Sequence, residues 1–272
     1  MPSVLLYTIL FTLDHIPIHK NKYIQMFLLW FSQILKTKSL TEKDGFLLIT
    51  DKYTHKHLIT ETPFIEMKNH LLCTQGILIN KQPKTLMEGC MWKYTSFTEN
   101  TLRAFNQDIF FYCDIDVILN KSLKIITDGM IPNTIVIHEE IPFINSEFSE
   151  GIPEDEKKEI LKDNPLLSGL SAGKFAIYGI NLMKDIFTRI LQYDTKTNYE
   201  TLEQPLFNRA VFNFVTIEKR LPAIHQMNAF CTRFNTYNTN YVLYDCCGRP
   251  GDTEEHMEKI INITSFLTAM NN

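Results

Sequence analysis

Phe110-Phe111-Tyr112-Cys113-Asp114-Ile115-Asp116-Val117-Ile118-Leu119 is an apolar run broken by two acids with one residue between them. The run before Asp114 reads as a strand buried on both faces, the pattern of a parallel sheet. Side chains of an extended segment alternate faces, so Asp114 and Asp116 are expected to point the same way. Two carboxylates so placed share a cation or divide acid and base work, because neighbouring like charges are costly to ionise together. A hard divalent cation, Mg²⁺ or Mn²⁺, is commonly held by one or two carboxylates plus phosphate oxygens. The motif therefore points to a metal bridge between protein and a diphosphate.

Three strand and helix units precede it. Val4 to Thr12 is a near-continuous apolar first strand, and Tyr23, Met26, Phe27, Trp30, Phe31 and Ile34 recur at helical spacing behind it. Phe46 to Thr50 is the second strand, ended by Asp51, and Thr62-Pro63 starts a helix expected to reach Leu71. Ile77 to Ile79 is the third strand, and Leu86 to Tyr94 a helix carrying Lys93. This alternation predicts an α/β protein with a mainly parallel, doubly wound central sheet flanked by helices, with ligands beyond the carboxyl ends of its strands. Asp51, Asp114 and Asp116 all fall at that edge. Beyond them, Glu147 to Pro165 is an acidic stretch that suits a solvated surface insertion, with a mobile lid as the alternative, and Tyr241 to Tyr244 reads as the last strand. His138, Glu139 and Glu140 read as surface loop residues, and His225 and His256 as surface or satisfied histidines.

Composition narrows the partners. The chain has 272 residues and a net charge of −4, with no basic stripe to follow a phosphate backbone, which argues against nucleic acid. Six cysteines without a CxxC pair are neither a disulfide framework nor a zinc site, and a reducing, cytoplasmic setting is expected. The apolar start is too short to span a bilayer and no transmembrane segment is expected.

Four stretches occur in the order and spacing of a known family: Asp114-Ile115-Asp116; Ser171-Ala172-Gly173 with the strand Phe175 to Tyr178; Glu203-Gln204-Pro205-Leu206-Phe207-Asn208; and Asp245-Cys246-Cys247-Gly248-Arg249-Pro250-Gly251. They resemble the metal-dependent glycosyltransferases of the GT-A fold, most of all the glycogenin-like and lipopolysaccharide galactosyltransferase-like group. The resemblance implies a single GT-A catalytic domain over residues 1–272, with a nucleotide-binding half at 1–120 and an acceptor and sugar half at 121–272. It implies transfer of a sugar from a nucleotide-diphosphate sugar, favouring UDP, to a glycan or other hydroxyl acceptor, with Mn²⁺ or Mg²⁺ as cofactor.

By the same resemblance, Asp114, Asp116 and Asp245 are the metal ligands, Asp245 standing where the family usually has a histidine. Ser171, Ala172 and Gly173 resemble a turn facing the donor sugar, and Lys93 a basic contact to the donor. Thr8 and Thr12 on the first strand, with Asp51 after the second, are expected to meet the nucleoside. The lysine that normally meets the departing diphosphate is missing, so Arg249, or the peptide N–H groups of Gly248 and Gly251, are expected in its place. Glu203 and Gln204 are the candidate catalytic residues. If the anomeric carbon inverts, Glu203 is the general base; if configuration is retained, Gln204 or its neighbour stabilises the face opposite the leaving group.

Two readings from other classes remain beside it. A haloacid-dehalogenase-type phosphatase also starts from an apolar strand and DxD, with the first acid, here Asp114, as nucleophile. A nonenzymatic sugar-nucleotide-binding protein would keep the fold without the chemistry.

Overall fold

The computed structural model describes residues 1–193, 197, 199–215, 223–233, 239–247 and 253–270. Its strands are β1 (Val4–Leu10), β2 (Gly45–Asp51), β3 (Thr74–Asn80), β4 (Ile109–Cys113), β5 (Val117–Leu119), β6 (Ile135–Pro142), β7 (Ser168–Tyr178), β8 (Cys231–Arg233) and β9 (Leu243–Asp245). Six of them make one sheet in the order β3-β2-β1-β4-β7-β6. The first four are parallel, while β7 runs antiparallel to both β4 and β6.

The strand sequences account for this layering. Every residue of β1 and β2 is buried, as the unbroken apolar runs require of strands covered on both faces. Alternation sends Leu6, Phe46, Leu48 and Phe111 to one face, against Phe27, Trp30 and Phe31 of the helix Tyr23–Thr37. Leu5, Tyr7, Leu47, Phe110, Tyr112 and Phe175 go to the other, against Tyr94, Phe187 and Phe207. Each such fully buried side chain contributes about 1.5–3 kcal/mol, so the two-faced pattern fixes the register strongly.

Helix placement then locates the site. The helices that follow β1 and β2 lie on the first face, and those that follow β3 on the second. The chain direction across the sheet reverses between β1 and β4, and the crevice at such a reversal is where open α/β sheets bind ligands.

Several boundaries differ from expectation for local reasons. Thr62 caps the end of the helix Lys52–Glu61 and only Phe64–Lys68 is helical after it, so no helix continues to Leu71. The single helix expected over Leu86 to Tyr94 is two short ones, Leu86–Cys90 and Trp92–Thr95. Glu147 to Pro165 is tied down rather than merely solvated: Phe148 and Ile152 are buried, and Glu156 receives a two-pronged ion pair from Arg209 at 2.8 and 2.5 Å. The six cysteines are free thiols. No helix among the described residues is long and apolar enough to cross a membrane.

Candidate active site

Strand β4 ends at Cys113, and the next three residues leave the sheet in a turn closed by Val117 N–H donating to Asp114 O at 3.1 Å. The two aspartates are therefore not on an extended segment, and the expected shared strand face does not form. Asp114 keeps the face of Tyr112, whose hydroxyl donates to Asp114 Oδ1. Asp116 turns toward the helix Thr253–Met270, where His256 Nδ1 is 3.6 Å from its Oδ2.

Asp114 is fixed from the neighbouring strand. Its N–H donates to Gly173 O at 2.7 Å, and a Cβ at Gly173 would sit 2.6 Å from Asp114 Oδ2, so only glycine admits the carboxylate here. Ser171, Ala172 and Gly173 lie within the eleven-residue strand β7, not in the turn the sequence suggested. Gly173 nonetheless meets Asp114, because β7 pairs with β4 up to Cys113 opposite Lys174.

Around Asp114 the structure gathers Lys93, Glu203 and Gln204. Lys93 is buried, donates to Glu203 Oε1 at 2.5 Å and to Ala172 O at 3.1 Å, lies 4.0 Å from Asp114 Oδ1, and sits 4.3 Å above the Tyr112 ring. Burial disfavours its charge, but Asp114 and Glu203 outweigh that and raise its pKa. Lys93 thus serves as a counter-ion to Glu203 and Asp114 within the protein. Glu203 follows Leu202, which holds a left-handed φ of 56°, a conformation that costs a non-glycine residue about 1–3 kcal/mol. Gln204 accepts from Ala172 N–H and donates to Glu147 O, both at 3.3 Å.

A second sheet brings in Asp245. Strand β9 lies between β5 and β8, pairing Asp245 with Val117, and Cys246 N–H donates to Asp116 O at 2.9 Å. Both Asp245 oxygens are engaged: Oδ2 accepts from Lys174 at 2.5 Å and Oδ1 from Cys247 N–H at 3.0 Å. Lys174 also donates to Ser171 Oγ at 3.0 Å and lies 3.6 Å from Glu140 Oε1. Burial alone would raise the Asp245 carboxyl, but Lys174 overrides it and holds the group well below the usual range.

The sequence pattern did not single out Lys174, and His138 and Glu140, expected in a surface loop, lie instead on strand β6, with His138 buried. Ligand atoms of His138, Glu140 and Asp245 lie within 4.8 Å of one another, beside a cleft of about 330 Å³ lined by His138, Glu140, Cys231 and Thr232. One signal was available: a lysine set in the apolar strand Gly173-Lys174-Phe175-Ala176-Ile177 needs a buried partner.

Two expected nucleoside contacts are not presented to a ligand. Thr8 is fully buried within β1. Asp51 is also fully buried and caps the helix Lys52–Glu61, accepting from the N–H groups of Tyr53 and Thr54, from Thr54 Oγ1 and from Thr12 N–H at 2.6–3.0 Å. Its carboxylate serves as an N-cap and ties down the end of β1. Thr12 hydrogen-bonds Thr54 at 2.8 Å and belongs to the same brace. Gly248, Arg249 and Gly251, with Asp252 and the side chain of His225, lie outside the described residues.

The electrostatics single out Asp116. Asp114, Glu203, Asp245 and Glu140 share two buried ammonium groups, Lys93 and Lys174. Among the described residues no lysine or arginine pairs with Asp116. Burial, then Asp114 and Asp245, push its carboxyl up to about 8; burial also raises Asp114, against Lys93 and Tyr112. A set of oxygen donors with uncompensated charge suits a hard divalent cation.

No protein-family model and no curated protein sequence matches the chain. Solved structures do. WbbM, a bifunctional glycosyltransferase, superposes with a TM-score of 0.60 at 11% identity over 98% of this chain and 51% of its own. The chain thus spans about half the length of that protein. Mouse xyloside xylosyltransferase 1 superposes with a TM-score of 0.53 at 8% identity over 89% of this chain and 97% of its own. With a mostly parallel six-stranded sheet and these two neighbours over nearly its full length, the chain has the GT-A glycosyltransferase fold.

Proposed function

We propose that this protein is a glycosyltransferase that moves a sugar from a nucleotide-diphosphate sugar, with UDP the favoured nucleotide, to a glycan or other hydroxyl acceptor. One observation carries the reading: at the carboxyl edge of a GT-A sheet, four carboxylates share two buried lysines, and among the described residues no lysine or arginine pairs with the fifth, Asp116. A divalent ion, Mn²⁺ or Mg²⁺, at Asp116 and Asp114 would relieve that crowding and, when bound, would neutralise the leaving diphosphate as a Lewis acid. In this reading residues 1–120 form the nucleotide side of one catalytic domain and 121–272 the sugar and acceptor side.

The chain's own groups then divide the remaining work. Gln204 lies against Ala172, and its amide is the polar group best placed to border a sugar seated on Ser171 to Gly173. Glu203 is buried and bound to Lys93 at 2.5 Å, so taking a proton from an acceptor would require breaking that pair. This favours retention of configuration, with the Gln204 side stabilising developing positive charge, over inversion with Glu203 as base.

A thermal-shift panel of nucleotide sugars with and without Mn²⁺, followed by donor hydrolysis and transfer assays, tests the proposal. Stabilisation requiring metal and nucleotide together, with donor turnover, is expected, since a ligand specific to the native state raises its stability. Turnover of a generic phosphate ester with no hydrolysis of any nucleotide sugar would instead identify a phosphatase using Asp114. Metal-dependent nucleotide binding without turnover of any donor would leave a binding protein.

A further inference from the structure

We infer that His256 is a protein ligand of the divalent ion, and that Asp245, where the family resemblance puts that ligand, serves to hold Lys174. The inference rests on the reading above that Asp116 takes a divalent cation.

Asp245 is a poor candidate on geometry and on charge. It is 2% exposed, both of its oxygens are occupied, and a lysine ammonium lies 2.5 Å from one of them. A dication brought to that carboxylate would meet the ammonium and repel it. The neighbouring group of ligand-type side chains, His138, Glu140 and Asp245, already has its cation in Lys174, which contacts both acids.

His256 is the better candidate on position and on charge. It is 4% exposed and lies in the first turn of the helix Thr253–Met270, which is anchored by Ile260, Ile263 and Leu267 in the core. The ring is therefore delivered by a rigid element. Its Nδ1 is 3.6 Å from Asp116 Oδ2, beyond a good hydrogen bond. Two ligands bound about 2.1 Å from one ion at angles of about 90–109° stand about 3.0–3.4 Å apart, so a small closure brings this pair to a coordinating distance. A neutral imidazole also adds no negative charge to a site that has a surplus of it. Imidazole suits borderline metals better than it suits Mg²⁺, so the site should prefer Mn²⁺ to Mg²⁺.

The test is pulsed electron paramagnetic resonance on the full chain with Mn²⁺ and UDP, comparing natural-abundance protein with protein carrying ¹⁵N-histidine. Nitrogen coupling that changes with the label is expected in the unmodified protein, which makes the result independent of how any variant folds. His256→Ala and the milder His256→Gln should abolish that coupling and weaken Mn²⁺ binding about tenfold or more. His138→Ala and Asp245→Asn should keep the coupling. Mn²⁺ binding without histidine coupling, or with coupling that disappears in His138→Ala, overturns the assignment of His256 while leaving a metal site. No Mn²⁺ binding at all overturns the metal-dependent reading itself.

Discussion

The two ends of the central sheet treat buried carboxylates in opposite ways. At the amino end, Asp44 is fully buried and fully served: Oδ1 accepts from Val4 N–H and Lys124 Nζ, and Oδ2 from the N–H and hydroxyl of Thr41, all at 2.7–2.8 Å. Burial alone would raise its pKa, but Lys124 and the Thr41 and Val4 donors lower it. At the carboxyl end, Asp116 meets Asp114 and Asp245 and is pushed up to about 8. The fold gives Asp44 its donors, whereas Asp116, the proposed metal ligand, is left among other acids.

The largest effect expected from breaking this contrast is at Asp116. Asp116→Asn should lower metal-dependent donor turnover by about a thousandfold or more, as loss of a preorganised electrostatic group does. Thermal denaturation of the metal-free variant should show a melting temperature unchanged or raised, because the crowded charge is gone. A lowered one would place Asp116 among the stabilising acids.

Removing a lysine should do the reverse. Lys174→Met leaves Asp245 and Glu140 buried without their cation, and a loss of about 3–5 kcal/mol is expected in urea denaturation. Asp44→Asn should cost about 2–3 kcal/mol while leaving turnover per folded molecule unchanged, because its partners are all at the far end of the sheet.

pH separates the ends by sign. The folded value of Asp44 lies below that of an unfolded carboxylate, about 3.9, so its contribution is present above that pH and lost as pH falls through the folded value. For Asp116 the folded value lies above, so its contribution is present at about pH 4 and lost as pH rises through about 8. Melting curves of metal-free protein should therefore decline toward both extremes, and Mn²⁺ should restore stability more at pH 8 than at pH 5. Asp116→Asn should flatten the alkaline decline only. The smallest change is expected from Gly173→Ala, where a methyl group 2.6 Å from Asp114 Oδ2 displaces the carboxylate: turnover should fall about tenfold with little change in unfolding.

Much of this was legible in the chain. The apolar runs at Val4 to Thr12, Phe46 to Thr50 and Phe110 to Cys113 determined a doubly covered parallel sheet, because period and burial are properties of local sequence. The same runs located the aspartates at its carboxyl edge. Charge neutralisation was not legible, because each pair joins residues far apart in sequence: Lys93 with Glu203, Lys174 with Asp245 and Lys124 with Asp44. Asp51 shows the same limit from the other side, since an acid after a strand reads alike whether it meets a nucleoside or caps the next helix.

The sequence by itself thus determined the sheet, its site edge and the types of side chain available there. Only the tertiary structure decided which acids are neutralised within the protein and which is left facing a histidine, because that choice depends on distances between strands and helices that no local pattern encodes.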